Sequence, residues 1–390
     1  MEWVAWVSVI AALLAVVAIT LAILNRRALV GHGVPVKPSA AGPGAPGSAG
    51  GKDDAAHTQV AFVANPTKPG VPALRDAAVQ ACAARYLPEP MWFDTTVDDP
   101  GIGQARDAVA AGAQVVIAVG GDGTVRAVAE GLTGTDAAMG LVPQGTGNLL
   151  ARNLDLPLND VDALLRIALT GHTRAIDVGW IRVVRDETEV ADDIAEADPA
   201  AVVPEETPPD AAEPSRDHIF LVIAGLGFDA AMVADTDEDL KARVGWIAYF
   251  VAGIKHLSGR RMRLEMRLDD GPWRPFRLRS LLFGNVGRLP GGITLLPQAV
   301  IDDGILDIGA IDTRGGIAGW AQLLGEVVFQ RFGISNDLPN KIGKIDHLQA
   351  REVRVRSREP QQLQVDGDTI GSALEVSARV DQRALQVRVP

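Results

Sequence analysis

Between Gln59 and Asn148 strand and helix signals alternate, a pattern that restricts this part of the chain to a parallel sheet with crossover helices. The run Gln59–Ala64 (QVAFVA) reads as a strand, followed by the turn Asn65-Pro66 and a helix over Val71–Tyr86. Pro90–Asp94 reads as a short strand, Gly103–Ala111 as a helix, and Gln114–Val119 (QVVIAV) as an apolar strand buried on both faces. Next come Gly120-Gly121-Asp122-Gly123-Thr124, a helix over Val125–Leu132, a strand over Met139–Val142, and Pro143-Gln144-Gly145-Thr146-Gly147-Asn148. Both glycine-rich loops therefore fall at carboxyl ends of strands, where doubly wound folds bind ligands.

Glycines at 120, 121 and 123 let a backbone approach a phosphate closely, with amides at a helix N-terminus pointing at it. Thr124 adds a hydroxyl donor. Asp122 in the same turn would repel phosphate unless a divalent cation stood between them, which implies Mg2+. Gly145-Thr146-Gly147 repeats the arrangement one strand further on. The plainer reading of either loop is a tight connection with Asp as a helix cap. No Lys-Ser/Thr pair follows the glycines as in a Walker loop, and the spacing is not that of a dinucleotide fingerprint.

The rest of the chain divides by composition. Trp3–Leu24 is twenty-two residues without a charge, about 33 Å as a helix, and Arg26-Arg27 follows it. This predicts one transmembrane helix within 1–30, a single-pass cell-membrane protein, and a cytoplasmic catalytic part. Residues 31–57 form a Gly/Pro/Ala/Ser linker. The net charge is −12, against a phosphate-neutralising nucleic-acid binder. Most of it sits at 186–217, with twelve acids, one base and five prolines, read as a disordered acidic insert. One cysteine, Cys82, excludes an internal disulfide framework, and six scattered histidines show no metal-ligand spacing.

Past residue 175 the signals are of strands: Ala175–Val184, His218–Ala224, Arg261–Leu268, Trp273–Phe283, Gly304–Ile311, Glu352–Val355 and Ala384–Val389. Between Lys255 and Arg279 eight bases face three acids, a stretch that could meet anionic lipid or be a solvated strand face.

The glycine loops, Asn65–Gly70 (NPxxxG), Gly140–Asn148 (GLVPQGTGN), Gly291–Ile308 (GGITLLPQAVIDDGILDI) and Val365–Asp368 (VDGD) together resemble the diacylglycerol kinase catalytic family, which includes sphingosine kinases and bacterial lipid kinases. The resemblance covers about residues 58–390. It implies an α/β ATP-binding domain over 58–174 followed by a β-sandwich over 175–390 that binds lipid. In such a fold ATP phosphorylates a lipid hydroxyl in the cleft between the two. The resemblance assigns nucleotide contacts to Asn65, Thr95, Gly120, Gly121, Asp122, Gly123, Thr124, Val125, Arg126, Gly145, Thr146 and Asn148. Asp122 would lie at the Mg-ATP site. A second, structural metal maps to the carboxylate of Asp303 and the carbonyls of Val300 and Ile305. The family's catalytic Glu maps to Asp368, and Asp122 and Asp366 complete the candidate catalytic set.

Two positions depart from the family pattern. Asp368 is one methylene shorter than Glu, and Leu149 replaces an Asp after Asn148. The expected partners are a membrane lipid substrate and the membrane itself, with a homodimer compatible and no nucleic acid. The alternatives are an NAD kinase-like enzyme and an inactive lipid-binding protein.

Overall fold

The computed structural model describes residues 58–185, 217–227, 261–289, 293–313 and 343–390. The alternating region forms β1 (Val60–Ala64), α1 (Val71–Ala83), β2 (Met91–Asp94), α2 (Ile102–Ala110), β3 (Val115–Gly120), α3 (Asp122–Leu132) and β4 (Ala138–Pro143). These strands lie in the order β2-β1-β3-β4 with every neighbouring pair parallel. Every residue of β1, β3 and β4 is buried, as a parallel sheet covered on both faces requires. Gly120 pairs with Pro143 at the last rung of β3 and β4, so the two glycine loops leave the sheet side by side.

Two helices follow, α4 (Leu149–Asn153) and α5 (Val161–Thr170). The second was not read from the sequence, although its N-cap is a plain signal: the Asp160 carboxylate accepts a hydrogen bond from the Ala163 amide at 2.9 Å.

The remaining described elements are strands: β5 (His172–Arg185), β6 (Asp217–Phe220), β7 (Ile223–Leu226), β8 (Met262–Leu268), β9 (Arg274–Leu278), β10 (Ser280–Gly284), β11 (Arg288–Leu289), β12 (Ile293–Thr294), β13 (Leu306–Thr313), β14 (Gly343–Ala350), β15 (Glu352–Val365) and β16 (Asp368–Val389). An α/β part thus precedes a β part, as expected, but the sheet does not stop between them. The twenty-two-residue β16 is antiparallel to β15 and β5, and near its end it runs parallel to β4 through Gln386 and Val387. One sheet of fourteen strands results. It serves two cores, one around Phe62, Ile117 and Leu164, the other around Phe220, Phe283 and Val353.

Two expected strands are broken. His218–Ala224 divides at Leu221-Val222, where the backbone amides turn to a carboxylate described below, and Trp273–Phe283 divides at Arg279.

The expected membrane location is corrected. Among the described residues no helix is long and apolar enough to cross a membrane. The segment Trp3–Leu24 on which the single-pass expectation rested lies outside the described residues, as do the 31–57 linker and residues 186–216 of the acidic insert.

Candidate active site

The two glycine loops pack directly on each other. A Cβ at Gly145 would stand 2.9 Å from the Gly121 Cα and 3.0 Å from the Asn148 Oδ1, and one at Gly147 would meet the Asp122 carboxylate at 2.6 Å. The approach to the Gly121 backbone is closer than a real Cβ shows, so Gly145 is required by the mutual approach of the loops, whereas at Gly147 the Asp122 carboxylate would have to shift. Gly145→Ala should therefore separate the loops, lowering stability by about 1 to 2 kcal/mol and raising the KM for ATP. Thermal melting and an ATP titration check both, and a variant with parental values in each would refute the packing argument.

Asp122 fastens the two loops. Its carboxylate accepts from the Asn148 amide at 2.9 Å and the Leu149 amide at 2.6 Å, capping α4 from the first turn of α3. Burial pushes the Asp122 carboxyl above its ordinary value; the Leu149 and Asn148 amides oppose this, and the nearby Asp368 charge adds to it. Asn148 sits in the left-handed region at φ 47°. Its side chain closes the second loop on itself, Oδ1 accepting from the Gly145 amide and Nδ2 donating to the Gly145 carbonyl.

The other residues assigned to nucleotide fall into four placements. Gly123 lies at the open N-terminal turn of α3 and Thr146 is exposed at the tip of the second loop. Thr124 and Val125 are buried, Thr124 against Gly120, so only their backbones can face a ligand. Thr95 is buried at the end of β2, with its amide bonded to the Ala64 carbonyl. The Asn65 Oδ1 is used by the amide and hydroxyl of Thr67 in its own turn.

Opposite the loops is the turn joining β15 to β16. Asp368 is 58 % exposed there, and a Cβ at Gly123 would be 3.7 Å from its Oδ2. Arg126, on α3 and only 18 % exposed, donates from Nη2 to that same oxygen at 2.7 Å and from Nη1 to the Val365 carbonyl at 3.0 Å. This guanidinium therefore ties the phosphate-loop helix to the strand turn. Asp366 faces the other way. It is buried, and its carboxylate accepts from the Leu221, Val222 and Ile223 amides at 2.8 to 2.9 Å.

Sequence reasoning missed three groups that shape this cleft. Asp177, fully buried in β5, accepts from the Gly304 and Arg383 amides, and its carbonyl accepts from the Asn285 side chain. A charge inside the apolar run AIDVGWI was the visible signal. Arg288 pairs with Asp155, clamping the turn after α4 to β11. His218 on β6 has its imidazole pushed below its ordinary value by burial and by the Arg126 charge.

Val300, Asp303 and Ile305 share one turn before β13, with the Asp303 Oδ1 accepting from the Ile305 amide at 3.0 Å. Burial raises the Asp303 carboxyl, and Asp177 and Asp302 raise it further. Asp307, just inside β13, is buried with its Oδ2 unpartnered. One carboxylate and backbone carbonyls beside the unpartnered Asp307 Oδ2 suit a hard divalent cation, while Asp302 is taken by Arg174 at 2.8 Å. Among the described residues no three acidic, His or Cys side chains converge as a metal cage, so main-chain oxygens would complete the shell.

Known proteins share this arrangement. Residues 60–181 match the diacylglycerol kinase catalytic domain, and residues 222–389 match the YegS C-terminal NAD kinase beta sandwich-like domain. A "probable lipid kinase YegS-like" of Pseudomonas fluorescens is 30% identical over 291 residues, 73% of this chain and 79% of that protein. One of Pseudomonas syringae pv. tomato is 31% identical over 291 residues, with the same two coverages, 73% and 79%. A diacylglycerol kinase crystal structure from Bacillus anthracis superposes with a TM-score of 0.60 at 18% identity, over 85% of this chain and 97% of that one, and so shares the fold. With both the α/β and the β region matched and relatives 30 to 31% identical over 73% of its length, the chain belongs to the diacylglycerol kinase catalytic family, among the YegS-like lipid kinases.

Proposed function

We propose that the cleft transfers the terminal phosphoryl group of ATP to the hydroxyl of a lipid alcohol, such as a diacylglycerol or a sphingoid-like base. The observation that carries this is the Asp368 carboxylate standing over Gly123 at the open N-terminus of α3. The first-turn amides of α3 have no intrahelical partner and, with the helix dipole, favour the ATP phosphates. Asp368 takes the proton of the lipid hydroxyl as its oxygen attacks the terminal phosphorus and ADP departs. Arg126 fixes the direction of that carboxylate. Asp122 would hold a magnesium ion, whose charge would offset that of the phosphate oxygens. The Asp303 turn would hold a second cation, whose charge would balance the carboxylates of that turn. Asp366 acts by position only, holding the turn that presents Asp368.

Asp122→Asn should raise the KM for ATP by roughly tenfold or more, because the amide presents an N–H to a backbone N–H and one buried donor loses its acceptor. An ATP titration of the variant checks this; an unchanged KM would leave Asp122 no part in nucleotide handling. The proposed reaction itself is tested by incubating the full chain with ATP and either dispersed dioctanoylglycerol or NAD. Phosphorylated glycerolipid is the expected product, and phosphorylated NAD without lipid product would replace the reading.

A further inference from the structure

A second concavity of about 850 Å3 opens on the outward face of β5, β16, β15, β8 and β9, and none of the glycine-loop or Asp368-turn residues lines it. Five arginines, Arg185, Arg263, Arg277, Arg356 and Arg358, share it with Glu265 and Glu375. Strand register sorts these charges into two rows. In the first, Arg185 is opposite Glu375, Glu375 opposite Arg356, and Arg356 opposite Glu265, so signs alternate across four strands. Arg356 is pinned there, with its Nε 2.6 Å from Glu265 Oε2 and its guanidinium 4.3 Å from the Trp273 ring centre.

The second row has no such balance. Arg263 is directly opposite Arg277, and Arg358, one residue beyond the partner of Leu264, lines the same concavity. Two positive charges thus face each other on strands about 4.8 Å apart, with a third in the same concavity. Among the described residues no acid forms an ion pair with any of the three. Like charges directly opposite each other destabilise a sheet. A merely solvated face would give no reason to gather them in a concave site, whereas a compact anion of two or more charges would offset their repulsion.

We propose that this arginine row binds a phosphoryl-bearing anion, the Arg263 and Arg277 forks gripping its oxygens with Arg358 beside them. The planar guanidinium matches phosphate oxygens two at a time, and the cleft is of small-ligand size. A single carboxylate carries too little charge for three cations. The ligand is either a free phosphate compound or a phospholipid headgroup, which share this chemistry.

The test uses the full chain, the variant Arg263→Ser/Arg277→Ser, and a control, Arg75→Ser/Arg166→Ser, that removes the same charge elsewhere. One arm titrates pyrophosphate calorimetrically; the other measures flotation with phosphatidylcholine vesicles, pure or mixed with phosphatidic acid. The cleft variant should lose roughly ten- to a hundredfold in affinity in one arm, which identifies the source, while the control stays near the parent. Its melting temperature without ligand should be no lower than the parent's, since repulsion is relieved, and its KM for ATP should be unchanged. Parental binding by the cleft variant in both arms, or equal weakening in the control, would overturn the site.

Discussion

Asp368→Asn is expected to slow lipid phosphorylation by roughly 10² to 10⁴, the usual worth of a positioned general base, while ATP affinity changes little. The amide keeps the size of the carboxylate and can still accept from Arg126, so the turn between β15 and β16 should stay in place; what is lost is the ability to take a proton. The separation from nucleotide binding follows from geometry. Asp368 reaches the phosphate-loop helix through Arg126 and stands beside Gly123, whereas the two loops are fastened to each other by Asp122. Asp368→Glu is the informative companion. It restores the reach of the family's Glu but must displace the Arg126 contact at 2.7 Å. Single-turnover rates with dispersed lipid, beside equilibrium ATP binding, measure the two effects separately. Transfer by Asp368→Asn within twofold of the parent would remove Asp368 from the reaction.

Asp366→Asn should be the most costly single change to stability near the site, about 3 kcal/mol. The residue is 7 % exposed and its two oxygens serve three backbone amides, those of Leu221, Val222 and Ile223. Burial pushes its carboxyl up, opposed by the Arg126 charge and by those three amides. Asn has the same shape and tolerates the left-handed backbone at φ 47°, so strain does not confound the comparison. Its Nδ2, however, faces amide donors and leaves at least one of them buried without an acceptor. Denaturant unfolding should show a lower midpoint with an unchanged slope. A loss below about 1 kcal/mol would mean that the three amides find other acceptors and that Asp366 does not hold the turn.

What the sequence disclosed and what it hid follow from the range of the interactions. The glycine loops were legible because each is local: an apolar strand such as Val115–Gly120 runs straight into its own loop and helix. Their mutual packing was not, since the contact of Gly145 with Gly121 depends on the parallel register of β3 and β4. Asp366 and Asp368 lie two apart in a motif that reads equally well as a hairpin turn, yet one carboxylate points into the core and the other into the cleft. Only partners far along the chain, the 221–223 amides and Arg126, distinguish them. The strand β16 was visible just at Ala384–Val389, because its earlier half alternates imperfectly through register shifts at Glu375/Val376 and Asp381/Leu385. Hence the sequence suggested two separate folding parts where one sheet continues through both. The basic stretch seen between Lys255 and Arg279 likewise gained its form from pairing, which set Arg263 against Arg277.

The most direct measurement is transfer of label from γ-32P-ATP to a total lipid extract by the full chain, with the labelled product identified by mass. The expected product is a phosphorylated lipid alcohol whose formation requires a divalent cation and fails in Asp368→Asn. ATP bound at the glycine loops with no lipid labelled at any cation concentration would contradict it.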